Sequence, residues 1–153
     1  MKVKLSAVLE AIELQTEETA YYFCTETGEV IMITLEEMGM AERGDSLDPY
    51  PEWLQGQVQL AEEVLDNEDL FIPLPSRYEV NEYEIMESFA LSIESQKVSD
   101  TIYDALRGKG AFRRFKDLVA QYNLIDQWYQ YRDNAYGKIA IEWCQSHGLD
   151  YDA

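Results

Sequence analysis

The chain has 153 residues, which suits a single domain, and it carries 12 Lys and Arg against 30 Asp and Glu, a formal net charge of −18. Its 46% apolar and 12% aromatic content provides for a packed core and excludes intrinsic disorder, while the negative field disfavours nucleic acid and anionic membranes as partners. Two cysteines, Cys24 and Cys144, are too few for a disulfide framework; Glu10 and Glu13 break up any leader-like apolar core; and no run reaches the ~18 apolar residues of a membrane span, so a cytoplasmic protein is expected.

Leu5, Val8, Leu9 and Ile12 repeat at helical spacing and predict a first helix over Leu5–Leu14, with Ser6 as its candidate cap. Ala20–Cys24 and Val30–Ile33, separated by the Thr25-Glu26-Thr27-Gly28 turn, predict a β-hairpin. Glycines, aspartates and prolines between 40 and 52 predict a loop. Leu54, Val58, Ala61 and Leu65 mark a further helix. The short apolar run Leu70–Pro75 suits an edge strand, because its prolines cannot donate to a central ladder.

From residue 79 onward the pattern is helical. Asn81 and Glu84 have capping-box spacing ahead of a stripe of Tyr83, Met86, Ala90 and Ile93. Val98, Ile102, Tyr103 and Leu106 form a short helix stopped by Gly108. Phe112, Phe115, Leu118, Val119 and Tyr122 line the next, with both phenylalanines expected in the core. The last and longest helix buries Ile125, Trp128, Tyr129, Ala135, Tyr136, Ile139, Ala140 and Trp143. The expected fold is α+β: a single domain over 1–153, mostly helical, with a small N-terminal antiparallel hairpin at about 20–33 and a third short edge strand. Helices pack the hairpin, and a helical half spans about 79–147.

The sharpest chemical signal is Arg107-Gly108-Lys109-Gly110-Ala111-Phe112-Arg113-Arg114-Phe115-Lys116. Five of the chain's 12 cations fall in these ten residues and no carboxylate does, leaving seven cations against 30 acids elsewhere, a formal −23. With Gly108 ending one helix and Gly110 opening the next, Arg113 and Arg114 sit in a first turn. Cations there work against the helix dipole by about 0.3–1 kcal/mol each. An anion held by backbone N–H groups and guanidinium forks would reverse that sign. Pairing with the molecule's own carboxylates would also reverse it, and the sequence leaves both open. The segment is not a Walker loop, because it lacks the preceding strand, the spacing, and a Ser or Thr after the lysine.

Arg132 falls near the centre of the last helix's apolar stripe. It is expected either in a buried ion pair, with Glu84 or Glu87 as partner, or facing a pocket. The single histidine, His147, supports neither a His-based metal site nor a triad. The acidic loop Glu42–Asp48 lacks EF-hand spacing, no adjacent acid pair forms a catalytic dyad, and no cofactor motif is read.

Phe71-Ile72-Pro73-Leu74-Pro75, Asn81-Glu82-Tyr83, Met86, the whole Arg107–Lys116 run, Trp128-Tyr129, Arg132-Asp133 and Ile141-Glu142-Trp143-Cys144 together resemble the bacterial uncharacterised protein family 0158 of the UPF series. The resemblance is strong over the C-terminal half and loose over the hairpin. It implies a bacterial cytoplasmic origin and brings no activity, cofactor or catalytic residue. From the residues themselves, the first expectation is a non-enzymatic binding or regulatory module. Its surface would be Arg107, Lys109, Gly110, Arg113, Arg114 and Lys116, taking a small anionic ligand or an acidic protein segment. Two alternatives are an acidic decoy that binds a basic protein through the −23 remainder, and a carboxylate-based hydrolase or transferase around Arg132.

Overall fold

A strand that alternates its side chains can bury both faces only if something packs on each, and Thr19–Cys24 does so. The computed structural model describes residues 2–77 and 79–152. Its elements run β1 (Val3–Lys4), α1 (Leu5–Leu14), β2 (Thr19–Cys24), β3 (Val30–Thr34), α2 (Leu35–Arg43), α3 (Glu52–Asp66), β4 (Phe71–Pro73), α4 (Glu82–Ser92), α5 (Gln96–Asp104), α6 (Ala111–Gln121), α7 (Ile125–Ser146) and β5 (Tyr151–Asp152). The fold is α+β and mostly helical. By contacts it divides into two compact units: Met1–Glu79 with Ile139–Ala153, and Val80–Lys138.

The first unit is built on a three-stranded antiparallel sheet in the order β3-β2-β4. Tyr22 faces Ile31 and Phe23 faces Val30 across the hairpin, and Cys24 faces Phe71 on the other side. β4 lies at the edge, as its proline requires. Cys24 and Ile33 join Ala61 and Val64 of α3 and Phe71 in one core cluster, with Tyr22, Ile31, Met38 and Leu60 packed around it. Phe23, one residue out of phase, points to the opposite face and meets Trp143 edge-to-face at 6.3 Å. The Trp143 indole donates to the Pro73 carbonyl at 2.9 Å, satisfying an acceptor on the sheet edge.

Two expectations are corrected in this unit. The loop expected over 40–52 begins only after Arg43, because α2 occupies Leu35–Arg43. Its start is a capping box. The Thr34 hydroxyl accepts from the Glu37 N–H at 3.1 Å, and the buried Glu37 carboxylate accepts from the Thr34 N–H at 2.9 Å. Gly44, at φ 66°, ends the helix in the left-handed region. Ser6 does not cap α1, whose flanking residue is Lys4 with no side-chain cap. The helix starts directly from β1, which pairs in parallel with β5 and ties the two chain ends together.

The second unit is an all-helical packing around Phe89, Phe115 and Trp128. Phe115 lies 4.8 Å from Trp128 and 6.2 Å from Phe89, and Tyr131 closes on Phe89 at 5.4 Å. Asn81 caps α4 by accepting from the Glu84 N–H, and Ser95 caps α5 by accepting from the Val98 N–H. The Tyr83 hydroxyl donates to the Leu106 carbonyl at 2.6 Å, and the buried Ser99 hydroxyl donates to the Ala90 carbonyl at 2.7 Å. These two bonds fix α4 against α5 and its C-terminal turn, and so set where the following loop begins.

Candidate anion-binding site

Six residues separate α5 from α6, and the chain turns there. Gly108 and Gly110 sit at φ 75° and 77°, in the left-handed region that glycine enters without a Cβ clash. The Arg114 side chain folds back from the first turn of α6 and closes this loop. Its Nε donates to the Ala105 carbonyl at 3.0 Å, its Nη1 to Lys109 at 2.5 Å, and its Nη2 to the Arg107 carbonyl. One guanidinium thus gathers three carbonyls at alternate positions. A Cβ on Gly110 would lie 3.2 Å from Arg114 Nη1, so a glycine suits this position for a second reason.

While Arg114 takes up carbonyls, the first amides of α6 have no acceptor one helical turn back, and the first regular bond of the helix runs from the Arg114 N–H to the Gly110 carbonyl at 3.0 Å. Gly110 offers no side-chain cap, and the first turn of α6 holds no acid. This end of the helix therefore keeps its partial positive charge and its unused donors.

Arg107, Lys109, Arg113 and Lys116 are all exposed around it. Arg107 lies 4.0 Å from Asp104, the outer limit of an ion pair, with both side chains largely in water. Lys109, Arg113 and Lys116 form no ion pair among the described residues. Of the six residues singled out in the sequence, Arg107, Lys109 and Gly110 lie in the loop, Arg113 and Arg114 in the first turn of α6 and Lys116 in its second, and Arg114 alone is folded back onto the loop's carbonyls. Phe112 is also corrected: it is 49% exposed rather than buried. Ala111, Phe115 and Val119, spaced four apart, fill the inward face of α6, and Phe112 is rotated about 100° from that line.

Arg132 lies on α7 between two aromatic rings, its guanidinium 5.1 Å from the Tyr129 ring and 5.7 Å from that of Tyr136. One carboxylate partner is Asp133, at 3.3 Å. Only 26% of the side chain is exposed, so the stem is packed and the head stacks, an arrangement that suits the flat guanidinium. Tyr129 and Ile125, expected on the buried face, are exposed, whereas Trp128, Tyr136, Ala140 and Trp143 are buried. Both cysteines are free and buried, and burial pushes the Cys144 thiol up from its ordinary value. Among the described residues no group of three or more His, Cys, Asp and Glu stands together to hold a metal ion.

The sequence reading missed the role of Arg114 and the open amides at the start of α6. The first depends on where a long side chain folds, which no spacing rule encodes. The second was partly legible, since two glycines at a helix start with no Asp, Ser or Thr between them leave the cap unfilled.

The uncharacterised protein family UPF0158 matches the chain over residues 1–153. A UPF0158 protein of Pseudomonas aeruginosa is 23% identical, over 76% of this chain and 84% of its own length. No solved structure matches. The chain belongs to the uncharacterised family UPF0158.

Proposed function

From that membership, which brings no activity with it, we propose that the chain is a non-enzymatic binding or regulatory module of the bacterial cytoplasm that captures an anion at the start of α6. The ligand is a phosphate-bearing molecule or an acidic protein segment. Arg107, Lys109, Arg113 and Lys116 supply the charge, the amides at the start of α6 supply the donors, and Gly110 lets the backbone approach. Arg114 is the strut that holds the loop open for binding rather than a ligand contact. The observation that carries this reading is the coincidence of unused N–H groups with unneutralised cations at a single exposed helix end. At α2, α4 and α5 such an end is closed by the chain's own side chains, Thr34 with Glu37, Asn81 and Ser95, whereas α1 and α3 also lack a side-chain cap but carry no cluster of cations. Two buried, unjoined cysteines suit a reducing compartment, and no helix among the described residues is long and apolar enough to cross a membrane.

The test is a titration of the full chain with inorganic phosphate, pyrophosphate and a short polyglutamate peptide, followed on the backbone amide resonances of residues 107–116. Wild type is expected to show saturable shifts confined to that segment and weakened by salt. A Lys109→Glu/Arg113→Glu double variant is expected to lose at least about tenfold in affinity, equivalent to roughly 1.4 kcal/mol. Equal weak binding by both proteins removes the reading. A basic partner that binds the acidic remainder, and ignores substitutions at 109 and 113, would instead favour the decoy alternative.

A further inference from the structure

The charge of the chain is not shared evenly. The unit of Met1–Glu79 with Ile139–Ala153 carries four Lys and Arg against 21 Asp and Glu, a formal −17, whereas Val80–Lys138 carries eight against nine. Residues 5–76 hold one cation, Arg43, and it is already taken: its Nε and Nη2 both donate to the Asp45 carboxylate, at 3.2 and 3.0 Å.

The loop between α2 and α3 continues from this pair. Its end, Asp48-Pro49-Tyr50-Pro51-Glu52-Trp53, is exposed throughout. Trp53 is 69% exposed, more than any other large apolar side chain among the described residues, and Tyr50 is 40% exposed. Single apolar side chains at a surface need no explanation, but two rings three residues apart between carboxylates mark an interaction site. The segment is also stiff. Two prolines fix their φ angles, the Asp45 N–H donates to the Met40 carbonyl at 3.2 Å, and the Tyr50 N–H donates to the Leu47 carbonyl at 3.0 Å. The Gln55 side chain donates to the Tyr50 carbonyl at 2.8 Å. One turn beyond Trp53 on the same face of α3, Gln57 donates to the Met32 carbonyl at 3.2 Å and to the Glu37 carboxylate at 3.3 Å, which pins the start of α3 beside that of α2. The rings are therefore held out in water by a built loop. Among the described residues neither ring meets another aromatic ring, and neither Asp48 nor Glu52 forms an ion pair.

We infer that this loop is a docking surface for a basic, arginine-bearing segment of another protein. Guanidinium planes lie on Trp53 and Tyr50, and their N–H groups reach Asp48 and Glu52. Charge decides the occupant. An acidic segment, a nucleic acid or the same loop of a second copy is repelled by a unit of formal charge −17. An uncharged apolar segment would cover the rings and desolvate two carboxylates without pairing them. A basic segment is drawn in by the field and satisfies both kinds of group. Charge alone would hold such a segment anywhere on the unit; the two rings single out one place, and this separates the docking surface from a decoy that acts through its net charge. The inference does not depend on the α6 site.

The test is a titration of the full chain with an acetylated, amidated Arg-Gly-Arg-Gly-Arg peptide, followed on the backbone amides and the Trp53 indole N–H in two-dimensional NMR. Wild type is expected to show saturable shifts centred on residues 45–57. The exposed-site variants Trp53→Ala and Asp48→Asn/Glu52→Gln should fold as wild type and each weaken the peptide by at least about fivefold. Glu68→Gln/Asp69→Asn, a matched loss of charge beyond the other end of α3, should change affinity by less than about twofold. The lysine counterpart of the peptide should bind about threefold or more weakly, because an ammonium neither stacks nor forks. Absence of saturation overturns the inference. So does an equal loss in the two charge-pair variants with Trp53→Ala unaffected, which would leave net charge as the whole of the attraction. A wild-type dimer in sedimentation that becomes monomeric in Trp53→Ala would give the surface to a second copy instead and overturn it as well.

Discussion

Helices α2 and α6 begin in opposite ways, and the contrast is the basis of the proposed binding surface. At α2 the Thr34 hydroxyl and Glu37 carboxylate occupy the first amides, two acids sit in the first turn, and Gln57 adds a hydrogen bond to Glu37 at 3.3 Å. That end is finished by its own sequence. At α6 the cap is a glycine, the first turn has no acid, and cations stand where acids are favourable. A chain with 30 carboxylates did not lack acids for this position. The second arrangement is less stable alone, and the anion proposed above would complete it from outside.

The largest test of that contrast is Arg114→Ala. It leaves the carbonyls of residues 105, 107 and 109 without their donor and is expected to cost about 2 kcal/mol, read as a lower urea midpoint at unchanged slope. Arg114→Lys should recover only part of this, since an ammonium cannot fork. If Arg114→Ala is as mild as Arg113→Ala, Arg114 is not a strut. Gly110→Ala comes next. At φ 77°, with the Arg114 head 3.2 Å from the new carbon, it should cost about 1–2 kcal/mol, whereas Gly56→Ala within α3, where the added carbon meets nothing, should stabilise by up to about 1 kcal/mol. Thr34→Ala opens the finished end and should cost about 1 kcal/mol in thermal or chemical unfolding.

The smallest effect is the most diagnostic. Arg113→Glu puts the charge that a helix start favours in place of the one it disfavours, and should raise stability by up to about 1 kcal/mol. The gain should shrink as salt is added, because the site is exposed. The same substitution should abolish phosphate binding. Stability and binding moving in opposite directions would mark Arg113 as kept for a ligand; a loss of both would mark it as structural.

Periodicity by itself determined most of the elements. α1 was placed at Leu5–Leu14, the hairpin to within one residue at each end, β4 at an edge, and α4 to α7 in order, because each depends on contacts a few residues apart or on what proline and glycine can do locally. The clustering of five cations around two glycines was legible for the same reason, and so was the turn between α5 and α6. Two features depend on groups far apart in the chain. Val3–Lys4 becomes a strand only because Tyr151–Asp152 returns beside it. Phe112 is exposed while Phe115 is buried because the packing around Trp128 selects one rotation of α6. Local pattern sets which segments are helix or strand; only the folded chain decides what each one pairs with and which face it buries.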